Sequence, residues 1–546
     1  MENKEIARYL KKGARLLELY NENSFKIRSY KKAADAIEML EEPVAKMGPS
    51  EVENIEGVGK NIAKKALSLV EKGTYEEWER LQEKTPEGVK ELLGIKGIGP
   101  QKIRQAWDEQ GIVSPEQLLE ACRDGTAANI KGFGQKTVKN IREILEYALA
   151  SKGKFLLSQA LSEGKVILET LQNLEEVEKV AITGPLRRRL EVIQTLDFLV
   201  KGNDQEAIES ALHLSGKVFR KEGQFYSYDY GIPVHLYHDN ADQWAKRLLE
   251  TTGSPEHVEQ LRKLVNNNFA NEEDFYRNAG YPFIIPEMRE GHFEWESAPA
   301  INPNDIIADE HLKGVLHNHT NFSDGKATLF RLAEYCKEQG YEYLGVADHS
   351  QSASYAGGLT VEEIEDQWRV IDEWNSQYND FKVLKGIESD ILKDGSLDYE
   401  EDVLKGFDYV VASVHSGLKM SEDQANQRLI TAIENPYTSV LGHCTGRLLL
   451  SRQGYPLDHQ KVIDACAANN VVIEINAHPQ RLDIDWRWLD YAMEKGVYVS
   501  INPDAHSLDG IHYMSYGVMM ARKAGVTKDF VLNALPLDKV LEVFRK

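Results

Sequence analysis

Nine residues in the last third of the chain have the types and spacing of a metal-ligand set. They are His317, His319, Asp324, His349, Glu388, His415, His443, Asp504 and His506. His317 and His319 stand two apart in LHNHTNFSDG, a spacing that puts both imidazoles on one side of a strand. Asp324 follows in the same stretch. The others lie near the ends of separate strand-like runs, in ADHS, GIES, SVHS, GHC and NPDAH. One histidine of this kind is usually a core or capping residue. Six with three carboxylates at successive strand ends point instead to a shared cavity. Such a donor set suits zinc, manganese or iron, and several divalent cations together can supply a nucleophilic water and clamp the oxygens of a phosphate ester. No Ser/His/Asp triad or nucleophile elbow competes with this reading.

The elements needed to hold these residues are legible from Lys313 onward. GVLHNHT, YLGVADHS, FKVLKGIE, YVVASVHS, TSVLGHC, VVIEINA and VYVSINPDAH read as seven strands with helical segments between most of them. That alternation predicts a parallel β/α barrel with its site at the strand ends.

The first 150 residues are helical in pattern and contain a threefold repeat: IEGVGKNIAKKA from Ile55, IKGIGPQKIRQA from Ile95 and IKGFGQKTVKNI from Ile130. Each Gly-apolar-Gly turn is followed by a helix that bears lysine. Glycine permits the tight positive-φ turn, and the helix start then offers backbone N–H groups to a phosphate. Gly57, Gly59, Lys60, Gly97, Gly99, Lys102, Gly132, Gly134 and Lys136 are the expected contacts, with no sequence being read.

The whole chain has 546 residues, a 42% hydrophobic fraction and a net charge of −22. Residues 1–150 hold 25 basic and 25 acidic side chains, so the excess negative charge lies entirely beyond them. The first part can therefore approach a polyanion, while the second needs cations to do so. Four scattered cysteines and no CxxC pair argue for a reducing cytoplasm and against a disulfide framework. No apolar run reaches the length of a membrane span, and the N-terminus lacks a signal peptide's pattern.

Residues 313–546 resemble the PHP (polymerase and histidinol phosphatase) domain family through LHNHTNFSDG, ADHS, GIESDIL, SVH, GHCTGR, EINAHPQRLD and NPDAH. That resemblance implies a distorted seven-stranded barrel with two to three divalent metals (Zn, Mn or Fe) on the nine residues above. It assigns catalysis to Asp324, His349, His415 and Asp504, and lets Arg447 and Arg481 hold substrate phosphates. The repeats resemble helix-hairpin-helix motifs. The layout as a whole is similar to bacterial family X DNA polymerases, on the further residues FKIRSYKKAADAI, TGSPEHVEQLR and AGYPFIIPEMRE. The implied domains are a helical 1–85 with the first hairpin, a fingers-like 86–155 with two more, an α+β palm-like 156–235, a thumb-like 236–300, a polar linker 301–312 and the barrel 313–546.

The palm-like part departs from that family. Pro185 replaces the serine of its phosphate-binding turn. Thr195 and His235 stand where two of three magnesium-binding aspartates belong, leaving Asp197, and Glu250-Thr251 replaces an aromatic pair. One carboxylate is a poor site for magnesium, so the polymerase core is expected to be silent and to serve DNA holding. Lys65 falls at the family's lyase position, where a lysine can form a Schiff base; its plainer reading is one phosphate-facing lysine among Lys60, Lys64 and Lys65.

The expected function is metal-dependent hydrolysis on DNA: 3′–5′ exonuclease, abasic-site endonuclease or 3′-phosphatase. The expected partner is gapped or damaged DNA, bound by a monomeric bacterial cytoplasmic, nucleoid-associated protein with no membrane contact. The alternatives are an active repair polymerase with attached exonuclease, a non-catalytic DNA scaffold, and a small-molecule phosphatase.

Overall fold

The structure is a computed structural model that describes all residues except 41, 240–242, 266 and 546. It divides into two compact units, Met1–Lys152 and Gly153–Lys546. No helix among the described residues is long and apolar enough to cross a membrane.

The first unit is all helical. The repeats explain their own geometry. Gly57, Gly97 and Gly132 take φ of 87°, 92° and 79°. Gly59, Gly99 and Gly134 are extended residues that begin the helices Lys60–Lys72, Pro100–Gln110 and Gln135–Ala150. The apolar residue between the glycines, Val58, Ile98 or Phe133, is buried to 2% exposure and pins each turn to the core. The third repeat differs on its first arm, where a short 3-10 turn, Thr126–Asn129, leads into the glycines.

The second unit begins with a five-stranded sheet in the order Lys179–Thr183, Leu196–Lys201, Pro233–His238, Gln224–Ser227, Val218–Lys221. Leu196–Lys201 and Pro233–His238 are parallel; the other pairs are antiparallel. Helices Leu157–Gln172 and Gln205–Leu214 bury Ile167, Leu171, Ile208 and Leu212 in one core with Phe198, Val200, Phe225 and Val234. Glu272 ties Arg187 (2.6 Å) to Arg289 (2.5 Å), the latter fully buried.

Residues 301–312 are not the linker that their polarity suggested. Ile306 and Ile307 are buried, and the Ile307 N–H donates to the Val526 carbonyl at 2.9 Å. Two apolar side chains at the centre of the polar stretch anchor it as a strap. Lys523 joins the same region from the barrel side: it is fully buried, and its Nζ donates to the Arg188 carbonyl (2.8 Å) and to Glu290 (2.5 Å).

The barrel strands are Gly314–Val315, Tyr343–Gly345, Lys382–Leu384 continuing as Gly386–Asp390, Tyr409–Ser413, Val440–Leu441, Val472–Asn476 and Val499–Asn502, all paired in parallel. Single bridges join His349 to Glu388 and Asn318 to Ala505. The second of these closes the ring between the last strand and the first, so the expected distorted (β/α)7 barrel is present. A core of Leu316, Tyr343, Leu384, Tyr409, Val411, Val440 and Val472 continues into the C-terminal helix Leu537–Phe544. The Phe544 ring stacks on Tyr409 at 5.1 Å.

Candidate metal centre

All nine expected ligands converge on one cavity, and Glu388 is its hub. Its carboxylate oxygens lie 3.2 Å from His317 Nε2, 3.0 Å from His349 Nδ1, 3.2 Å from His415 Nε2 and 3.0 Å from His443 Nε2. Asp504 Oδ1 lies 3.2 Å from His319 Nε2 and 3.8 Å from His317 Nε2. Asp324 stands at the more open side, 3.3 Å from His506 Nε2 and 3.7 Å from His349 Nε2. Three overlapping groups offer donor atoms within 4.8 Å of one another: His319–Asp324–His349–His506, His317–His319–Asp504 and His349–Glu388–His415.

His317 and His319 meet here, but not by the strand alternation expected of them. The strand ends at Val315, and His317 sits at φ 57°, as Asp504 does at φ 51°. A left-handed backbone at a non-glycine residue is strained and persists only where its surroundings enforce it. The chain turns at both residues, and both point inward.

A divalent cation fits these donors. His317 Nε2, His319 Nδ1, His349 Nδ1, His443 Nδ1 and Glu388 Oε2 are buried side-chain atoms that make no hydrogen bond within the described protein. Buried polar atoms are otherwise nearly always satisfied, and five orphans around one cavity have a common explanation in metal ligation. Without metal the carboxylate ligands are already ionised, while His317, His415 and His506 hold protons that a cation must displace. Burial would raise the carboxyls of Glu388 and Asp504, yet the imidazoles around them hold both well below the usual carboxylate range. Burial and the crowding of His506 and His349 push His319 down to about 3, leaving it neutral as a ligand must be. Burial also works against protonation of His415 and His506, but neighbouring carboxylates outweigh it and raise them to about 10 and about 9.

A second ring of acids orients the first. Glu474 is fully buried, with one oxygen 2.5 Å from His317 Nδ1 and the other accepting the His443 backbone N–H at 2.6 Å. Asp390 pairs with His415 Nδ1. Asn476 donates to Asp504 at 3.1 Å. The sequence reading missed Glu474, Asp390 and Asn476. A carboxylate inside the apolar run VVIEINA was the available signal, since an acid on a buried strand needs a partner. Asp348, beside the ligand His349, accepts from Thr320 and Ser323 instead and so fixes the loop that leads to Asp324.

The two arginines part company. Arg481 Nε lies 3.3 Å from Asp504 Oδ2, at the cavity. Arg447 donates to Asp485 at 2.7 Å and to the carbonyls of Arg481 and Leu482, so its guanidinium is committed to the protein rather than to a substrate.

Elsewhere, Thr195, Asp197 and His235 do come together. Thr195 Oγ1 donates to Asp197 at 3.2 Å, and His235 Nδ1 lies 3.2 Å from its other oxygen, the two residues being cross-strand partners. Burial raises the Asp197 carboxyl. This single buried, capped carboxylate does not fit a two-magnesium site. Lys65 Nζ lies 3.6 Å from Glu77 and over the Tyr30 ring. Lys102 donates to the Gly132 carbonyl at 2.7 Å and so braces two hairpins against each other, whereas Lys60 and Lys136 are exposed.

Comparison with known proteins adds an independent line. Residues 1–75 match a helix-hairpin-helix domain, 89–146 a SAM-like helix-hairpin-helix tandem and 315–478 the PHP domain. Probable phosphatases of Thermoanaerobacter sp. (strain X514) and Vibrio parahaemolyticus are 28% and 26% identical over 256 and 239 residues. They match 43% and 42% of this chain and 96% and 90% of their own lengths. The DNA polymerase/3'-5' exonuclease PolX of Bacillus subtilis (strain 168) is 33% identical over 574 residues, covering 100% of both chains. With that match along its whole length and a hydrolase-type centre in its PHP domain, this chain is an enzyme and belongs to the PolX family.

Proposed function

We propose that this protein hydrolyses phosphate esters of DNA at the barrel cavity, removing nucleotides from 3′ ends, while its palm-like sheet holds DNA without polymerising it. The observation that carries this reading is the set of three overlapping donor groups, one of which contains Glu388, together with five buried side-chain atoms of these ligands that make no hydrogen bond. Two to three divalent cations, of zinc, manganese or iron, would be held by the nine ligands and would supply an activated water and neutralise phosphate charge. The protein's own part is positional. Glu474 and Asp390 fix the ring orientation of His317 and His415. Arg481, held by Asp504, faces the cavity where a non-bridging phosphate oxygen needs a donor. The hairpin turns present backbone N–H groups to the sugar–phosphate backbone, which favours gapped or damaged duplex DNA over small substrates.

A second reading, DNA synthesis, draws on the PolX of B. subtilis, whose name carries both activities. The capped Asp197 speaks against it here. Incubating the protein with an end-labelled gapped duplex and manganese, with and without dNTPs, tests both. Strands that shorten support the proposal; strands that lengthen in a manner abolished by Asp197→Ala overturn the silent-core part of it.

A further inference from the structure

The palm-like sheet has two unlike faces. Alternation along its open half sends Val218, Phe225, Ser227 and Val234 inward, where all four are buried. The cross-strand pairs Phe219–Tyr226 and Lys221–Gln224 lie on the opposite face. Tyr226 is also paired with Pro233. His235 and Tyr237 follow on that face at two-residue spacing.

Aromatic rings are exposed here to an unusual degree. Phe219 and Tyr237 are each 37% exposed, and Tyr228 and Tyr230 at the hairpin tip are 68% and 46% exposed. Phe219 and Tyr226 stack on each other, their centroids 5.5 Å apart and their planes only 17° apart, and together they form one apolar shelf. Lys221 flanks the shelf and Lys217 precedes its first strand. Asp197 on this face is buried beneath His235, and the exposed carboxylates Glu222 and Asp229 stand in the turns at its edge. The setting makes the two lysines uncommon, because all of the chain's net charge of −22 lies beyond residue 150.

We propose that this face binds single-stranded DNA, with unpaired bases stacked on Phe219 and Tyr226 and the backbone alongside Lys217 and Lys221. Exposed aromatics in a sheet with cationic side chains at the margin bind single strands of any sequence, because every base has a π-face and every phosphate a charge. The lysines favour a polyanion over an apolar peptide. The inference rests on the reading of this enzyme as one that acts on DNA, and it gives the silent palm a specific role, that of holding a strand that has left the duplex.

The test uses the full-length protein and two fluorescent probes, an oligo-dT strand and a blunt hairpin duplex, with binding read by anisotropy at fixed salt. Phe219→Ala combined with Tyr226→Ala is expected to weaken oligo-dT binding roughly tenfold or more, the loss typical of removing stacked rings, and to leave hairpin binding unchanged. Phe219→Trp should retain oligo-dT binding, and Lys221→Glu should weaken it with every ring in place. This pair of variants keeps the test sound if the double variant folds poorly. Unaltered oligo-dT affinity in the double and Lys221→Glu variants overturns the stacking face alone. Self-association that the double variant abolishes, seen by sedimentation, also overturns it, since a second copy would then be the occupant. Wild-type protein that binds neither probe overturns the underlying DNA reading as well.

Discussion

Glu474 Oε1 lies 2.5 Å from His317 Nδ1, and both residues are completely buried. Glu474 is not itself among the donor groups. It sets which face of His317 meets the cavity, and through its other oxygen it holds the backbone at His443. Supporting carboxylates of this kind are worth about 10- to 100-fold in metal affinity. Glu474→Gln is therefore expected to lose metal on dialysis, seen by elemental analysis, and to regain activity in part at high metal concentration. Full metal content in the variant would show that His317 needs no such support.

Metal uptake should depend steeply on pH. Carboxylates around His415 and His506 hold their protons to about 10 and about 9, against a reference near 6.5. Both rings are thus protonated at neutral pH in the metal-free protein and must release a proton to become ligands. Affinity rises with pH until those values are passed, and because neighbouring carboxylates also hold His317 well above the usual imidazole range, loading near pH 7 releases about three protons. Calorimetric titrations in buffers of different ionisation enthalpy measure that release directly. Zero release would mean that these rings are neutral before metal arrives.

The acid side of the stability curve should be governed in part by Glu272. Burial would raise its carboxyl, but Arg289 and Arg187 more than offset this, and it lies below the ordinary range. A carboxylate lowered in the folded state stabilises fully above its unfolded pKa of about 4.3, and that contribution fades as pH falls through the folded value. Glu272→Ala leaves buried Arg289 uncompensated and should cost about 3–5 kcal/mol near neutrality. The deficit in thermal or urea melts should shrink as the pH falls below the unfolded value of about 4.3 and through the lowered folded one.

The hairpin lysines should act on every DNA sequence alike. Lys60→Glu with Lys136→Glu alters two exposed side chains next to helix starts. Weaker binding to all duplexes, with a shallower dependence on salt, is the expected result. A loss confined to some sequences would mean that these turns read bases.

Much of this was legible in the chain. The barrel followed from seven apolar runs, and its ligands from chemistry-bearing residues at the run ends. The hairpins followed from three Gly-apolar-Gly turns, with Val58, Ile98 and Phe133 as buried pins. What remained hidden depends on long-range packing. Nothing local marks His317 and Asp504 as left-handed residues, because the closure of Asn318 on Ala505 places that turn. Arg447 sits in a motif that suggested a phosphate contact, yet Asp485 and two carbonyls claim its donors. Residues 301–312 look like a linker by polarity alone, and only the packing of Ile306 and Ile307 shows otherwise.

The central claim is that cations gathered around Glu388 cut DNA, and one comparison tests it most directly. Wild-type protein and Glu388→Gln are each incubated with a 3′-recessed duplex labelled at its 5′ end, with manganese and then with chelator, and strand length is read on a denaturing gel. Stepwise shortening from the 3′ end by the wild type, lost with chelator and lost in a variant that still binds the duplex, is the predicted outcome. Shortening by Glu388→Gln at the wild-type rate, or by the wild type at an unchanged rate without metal, would contradict it.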